Sequence, residues 1–149
     1  MTLRHGLEIR AASAAEAPGL AILMAEAGLM LEARDIAERL AALRQGQGAA
    51  LVALQWGPPS GLVLMHWYHT LESASPVAQI TMLLVGADQR RLGIGRLLLK
   101  GAAQAARLAG CGQMEIATPA DAPSLNEFCR ATGFAEAGPR FVRSLRKQG

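Results

Sequence analysis

Leu83-Leu84-Val85-Gly86-Ala87-Asp88-Gln89-Arg90-Arg91-Leu92-Gly93-Ile94-Gly95-Arg96 is the stretch from which the rest of the chain can be read. An apolar run ends at Val85, a short turn follows, and Arg90-Arg91-Leu92-Gly93-Ile94-Gly95 opens a long segment with helical spacing. The order is strand, glycine-bearing loop, helix N-terminus. The first backbone amides of a helix have no partner within it, and the helix dipole adds partial positive charge there. Glycine lets a ligand approach such amides closely. A phosphate group is the natural occupant.

The helix is predicted from its periodicity. Ile94, Leu97, Leu98, Ala102, Ala105 and Leu108 fall on one face, and Arg96, Lys100, Gln104 and Arg107 on the other. Gly101 lies on the buried side, where it would allow close packing on a sheet, and Gly110 is placed to end the helix. Two better-known phosphate loops are excluded. The dinucleotide fingerprint needs a third glycine where Leu98 stands, and no Gly-Lys-Ser/Thr triplet occurs.

Charge points to the same place. The chain of 149 residues carries +3, and the excess is concentrated. From Ser73 to Met114 the basic residues are Arg90, Arg91, Arg96, Lys100 and Arg107, against Asp88 alone. The remainder is slightly acidic. Arg90, Arg91 and Arg96 are read as phosphate partners, Lys100 and Arg107 as a solvated helix face. Basic residues do not interleave with aromatics and no nucleic-acid recognition module is found, so no nucleic-acid partner is expected.

The length suits one domain, 1–149, and a hydrophobic fraction of 51% supplies a core. Cys111 and Cys129 form neither a disulfide framework nor a Cys-x-x-Cys, which fits a reduced cytoplasmic setting. The first residues lack a signal-peptide core, and no apolar run is long enough to span a bilayer, so no membrane association is expected. No spacing of His, Cys, Asp and Glu implies a metal site.

Working outward, Leu7–Ala11 alternates as a first strand, and Ser13 with Glu16 forms a capping box. One helix then ends near Gly28 and a second runs from about Glu32 to Arg44. Between them, Leu29 and Met30 are read as packing residues. Ala49–Trp56 and Leu62–His69 form a hairpin around Gly57-Pro58-Pro59-Ser60-Gly61. Val77–Val85 reads as a central strand covered on both faces. After the glycine-loop helix come a strand at Gln113–Ala117, a short helix at Leu125–Ala131, a strand beginning at Phe134 and a last strand at Arg140–Leu145.

Arg-x-x-Gly-x-Gly between a strand and a helix resembles the pyrophosphate loop of the GCN5-related N-acetyltransferases, the GNAT superfamily. Leu125-Asn126-Glu127-Phe128-Cys129-Arg130-Ala131-Thr132-Gly133-Phe134 resembles that family's second cofactor segment, with Phe128, Gly133 and Phe134 matching. The resemblance extends from Ile9-Arg10 to the last strand. It implies an α/β fold with a mixed, mostly antiparallel sheet and helices on both faces. It also implies acetyl-CoA as cosubstrate, and transfer of the acetyl group to an amine of a small molecule, peptide or protein.

The resemblance further implies which residues meet the cofactor. The backbone of Leu83, Leu84 and Val85 would run along the pantetheine arm, where the strands splay. Arg90, Arg91, Leu92, Gly93, Ile94, Gly95 and Arg96 would wrap the pyrophosphate. Asn126 would hydrogen-bond the cofactor. The family often has a tyrosine where this chain has Cys129, and that tyrosine is commonly assigned to protonate the departing thiolate. Cys129 is therefore the candidate acid. The general base stays open among His66, His69, Glu72 and Gln79. His66 shares a strand face with Tyr68, and Trp67 shares the other with His69. A non-catalytic acyl-CoA-binding sensor or regulatory module is the rival reading. Oligomeric state also stays open, a homodimer included.

Overall fold

In a computed structural model, the structure describes residues 6–87, 93–118, 121–138, 141 and 143–145. They belong to two compact units, Met1–Ala117 and Thr118–Gly149. In the first unit, the alternating opening segment forms strand β1, Glu8–Ala11. The capping box forms: Ser13 N–H donates to Glu16 Oε1 at 2.8 Å, and Ala15 N–H donates to Ser13 Oγ at 3.3 Å. It opens a 3-10 turn that leads into helix α1, Ala17–Glu26. Glu16 is buried, and the Arg10 guanidinium at 3.3 Å compensates its carboxylate.

Gly28, in the left-handed region at φ 85°, turns the chain out of α1, and helix α2 follows at Ala33–Gln45. Strands β2, Gly48–Leu54, and β3, Gly61–Tyr68, form the predicted hairpin. Strand β4 is Val77–Val85, helix α3 is Ile94–Leu108 and strand β5 is Gln113–Ile116. The sheet order is β1-β2-β3-β4-β5, antiparallel throughout except for the parallel β4–β5 pair. No helix among the described residues is long and apolar enough to cross a membrane.

Alternation along the strands divides the core between two faces. Ala50, Val52 and Leu62 pack with Leu20, Leu23, Met24, Ile36 and Leu40 of α1 and α2. The neighbouring residues face α3. A Cβ added at Gly101 would stand 3.0 Å from Leu51 Cδ1 and 3.4 Å from Ile9 Cγ2, so the predicted close approach of α3 to the sheet is present. The buried stripe of α3 is Ile94, Leu98, Leu99, Ala102 and Ala106, whereas Leu108 is exposed, a departure from the predicted stripe. Leu29 and Met30 also depart from expectation: both are exposed rather than packed.

Gly61 is where the sheet and α3 are tightest. A Cβ there would lie 2.8 Å from Leu98 Cδ1, 3.0 Å from Ile94 Cγ2 and 3.2 Å from the Leu84 carbonyl oxygen. We predict that Gly61→Ala costs about 1–3 kcal/mol of stability by overpacking. Urea unfolding measures this, and an unchanged midpoint would show that α3 moves away freely.

The second unit contains helix α4, Pro123–Ala131. The strands expected at Phe134 and at Arg140–Leu145 are not found among the described residues. Phe134 N–H donates to the Cys129 carbonyl at 2.9 Å, closing the helix end, so it is not free for a ladder. Gly133 and Gly138, at φ 99° and 97°, turn the backbone on either side of Phe134–Ala137. Arg140 and Val142 lie outside the described residues.

Candidate functional site

The sheet opens along β4. Its ladder with β5 runs only from Val77↔Gln113 to Ile80↔Ile116. From Met82 to Val85 the strand keeps its pairing with β3, and from Thr81 on it has no strand partner on the other side among the described residues. The register explains where the parting starts. Leu64 pairs with Met82 and Met65 with Ile80, which leaves Thr81 as the extra residue of a bulge. A bulge bends its strand and increases local twist. The unpaired edge is about 16 Å long at the usual rise per residue. The central strand is therefore paired at both edges along only about half its length, because β5 stops at Ile116.

The glycine loop follows this open edge. Gly93 is the N-cap of α3, in the left-handed region at φ 81°, and its carbonyl accepts the Leu97 N–H at 3.1 Å. Gly93 has no side chain to cap this end, and among the described residues no other side chain is seen to cap it, so the first amides of α3 can serve an anion. Among the described residues other than its chain neighbours, nothing lies within 4 Å of where a Gly93 Cβ would be. Ile94 is buried against Gly61, so only its backbone can serve a ligand, while Gly95 is half-buried and Arg96 is exposed in the first turn. Leu84 packs on the α1/α2 core, and Leu83 and Val85 are half-buried. Arg90, Arg91 and Leu92 lie outside the described residues.

A polar row sits on the same sheet face as α1 and α2, just before the strands part. Tyr68 Oη donates to Glu115 Oε1 at 2.7 Å. His66 stacks on Tyr68 with ring centroids 5.6 Å apart, and Gln79 is the register partner of both His66 and Glu115. Donation to Glu115 holds the Tyr68 phenol protonated, raising its pKa above the usual value, and burial and the carboxylate's charge add to this. Glu115 did not emerge from the sequence as a candidate. Its only local signal was a carboxylate between two apolar residues of a strand, Met114 and Ile116. His69 and Glu72, two of the sequence candidates for the base, are exposed outside this row.

A cleft of about 280 Å³ lies between α1 and the β2–β3 turn and extends to Gly86 at the end of β4. Ile22, Leu23, Glu26, Trp56 and Pro59 line it. The sequence reading missed this cleft because it depends on contact between two distant segments.

In the second unit, Thr118 Oγ1 donates to Asn126 Oδ1, which leaves the Asn126 amide nitrogen for other partners. Cys129 is buried, and burial pushes its thiol pKa up, partly offset by Arg130. A thiol held protonated in an apolar setting is a poor nucleophile. We predict that Cys129→Ala keeps kcat within about tenfold, well short of the roughly 10²- to 10⁴-fold effect of a positioned proton donor. Steady-state kinetics with CoA affinity measured alongside decides this. A loss in the larger range at unchanged affinity would make Cys129 the acid.

The chain matches the model of the acetyltransferase (GNAT) family over residues 21–134. No curated protein is detectably similar to it in sequence. Solved structures share its fold at low identity. A Trypanosoma brucei acetyltransferase is 17% identical, with 93% of this chain and 99% of that one covered at a TM-score of 0.79. AAC(6')-Iy, solved with the bisubstrate analogue CoA-S-monomethyl-acetylneamine, is 17% identical, with 95% and 99% covered at 0.81. An aminoglycoside acetyltransferase from an uncultured soil metagenomic sample, solved with sisomicin, is 19% identical, with 94% and 97% covered at 0.76.

Proposed function

The chain belongs to the GNAT acetyltransferase family, and from that premise we propose that it is an N-acetyltransferase moving the acetyl group of acetyl-CoA to an amine. The observation that carries this is the parting of β4 from β5, followed in the chain by the left-handed Gly93 as the N-cap of α3. In this reading the cofactor's pantetheine arm pairs with the backbone of Leu83, Leu84 and Val85. Its pyrophosphate meets the amides of Gly93, Ile94 and Gly95, with Arg90, Arg91, Leu92 and Arg96 around it. Asn126 offers its amide nitrogen to the cofactor. The whole chain, 1–149, acts as one catalytic domain in the cytoplasm, in keeping with its free cysteines.

The reaction needs a neutral amine placed against the thioester, stabilisation of the tetrahedral oxyanion and a proton for the thiolate. Nitrogen attacks the carbonyl carbon, the C–S bond breaks, and the products are an amide and CoA thiol. The Glu115 carboxylate, oriented by the Tyr68 hydroxyl, takes the proton the amine must lose. A backbone amide of the open β4 edge polarises the carbonyl, and water returns a proton to sulfur. The acceptor is an amine of a small molecule or of a peptide. The small-molecule reading is favoured by the two fold neighbours solved with aminoglycoside-type ligands.

Cys129 at the position of the family's tyrosine keeps one rival reading in play, a non-catalytic acyl-CoA sensor. Thiol release from acetyl-CoA across a panel of amines separates the two. Amine-dependent release above the spontaneous rate is expected. Binding of CoA with no release for any amine would establish the sensor instead.

A further inference from the structure

The cleft beside α1 is not needed to hold the cofactor in the reading above, yet its lining is specific. We propose that it binds an apolar organic cation, the non-reacting ammonium end of the acceptor. This inference rests on the acetyltransferase reading for the identity of the ligand as acceptor, but not for its chemistry.

Three observations lead to a cation. Trp56 lines the cleft with 77% of its surface exposed, so its ring is free to receive a ligand. The face of an indole attracts a positive charge by its quadrupole. Glu26 lines the same cleft and has no ion pair among the described residues. It is also the last residue of α1, whose last turn contains no basic residue. A carboxylate is disfavoured at that end, where the helix dipole is already negative. A bound cation relieves the repulsion and satisfies both groups, whereas an anion would be repelled by both.

The remaining walls set the body of the ligand. Ile22, Leu23 and Pro59 are apolar, and the volume of about 280 Å³ suits one small aryl or short alkyl group. The floor is firm: a Cβ at Gly19 would fall 2.5 Å from Pro59 Cδ, so α1 and the turn are in close contact there. The cleft reaches Gly86 and Ala87, where the chain leaves the open edge of β4. Glu115 lies at the far end of that edge, which is about 16 Å long, so a cation held at Trp56 and Glu26 implies an acceptor long enough to carry a second, reacting amine that distance.

Benzyltrimethylammonium tests this, because a quaternary nitrogen cannot be acetylated and its binding is independent of turnover. Titration calorimetry on the full chain should show binding, with Kd raised at least tenfold by Trp56→Ala and by Glu26→Gln. Benzyl alcohol should bind at least tenfold more weakly than the cation. Both substituted residues are exposed, and an unchanged melting temperature and CoA affinity would confirm intact folding. Where a diamine is turned over, benzyltrimethylammonium should compete with it, and the competition should vanish in both variants. No binding, or equal Kd in wild type and both variants, would overturn the cleft assignment even if CoA binds and turns over. Binding without competition would overturn the link to the acceptor. Failure to bind CoA would overturn the acetyltransferase reading while leaving cation binding to be judged by its own titration.

Discussion

Glu115→Gln is expected to lower kcat by roughly 10²- to 10⁴-fold, the range for loss of a positioned acid–base group. Gln keeps the shape and can still accept from the Tyr68 hydroxyl, whose bond to Glu115 measures 2.7 Å. The loss would therefore report the missing charge and proton acceptor, not a displaced strand. Tyr68→Phe should cost less, because the carboxylate remains and only its orientation is relaxed. Single-turnover acetylation with CoA affinity measured in the same variants decides the point. An unchanged kcat in Glu115→Gln would move the proton to bulk water or to His66. The Tyr68 pKa is raised in the folded chain, so the phenol stays protonated through neutral pH. Its hydrogen bond to Glu115 stabilises the fold below the unfolded phenol value of about 10 and is lost as pH rises through the higher folded value. A drop in activity between pH 8 and 9 would thus have another origin.

Gly93→Val is the second large effect. Left-handed backbone at φ 81° is strained for any residue with a Cβ, and more so for a β-branched one. The strain costs about 1–3 kcal/mol if the conformation is kept. If it is not kept, the first amides of α3 turn away from the pyrophosphate. CoA affinity should fall by at least about tenfold, equivalent to about 1.4 kcal/mol. Stability should fall as well, through backbone strain and not a clash, since among the described residues other than its chain neighbours no atom lies within 4 Å of the added Cβ. Gly93→Asn separates the two contributions, because asparagine tolerates the left-handed region better. It should recover much of the stability while the affinity defect persists. Full recovery of both would reduce Gly93 to a helix cap.

Local chemistry made the glycine loop legible. A strand ending at Val85 and an amphipathic helix from Ile94 are each encoded within a few residues, and both are present; most of the turn between them lies outside the described residues. The capping box at Ser13 and Glu16 was readable for the same reason. Features that depend on register or on distant packing were not. Tyr68 and Glu115 are 47 residues apart, and only the β3–β4–β5 alignment brings them together. The half-open edge of β4 depends on a bulge at Thr81 and on β5 ending at Ile116, and neither has a local signal. Leu108 fits the helical stripe by spacing yet is exposed, in the last turn of α3. At Phe134 the β-forming residue is used to close α4, and the flanking glycines override its strand preference.

The central claim is that the open edge of β4 and the α3 N-terminus form an acetyl-CoA site. Thermal unfolding with and without 1 mM acetyl-CoA tests it most directly. At about one hundred times Kd, a ligand bound only by the native state adds about 2.7 kcal/mol. For a chain of this size that corresponds to a rise in Tm of roughly 5–10 °C. A tenfold loss of affinity in Gly93→Val should about halve the rise, and a larger loss should shrink it further. An unchanged Tm at millimolar acetyl-CoA would contradict the assignment.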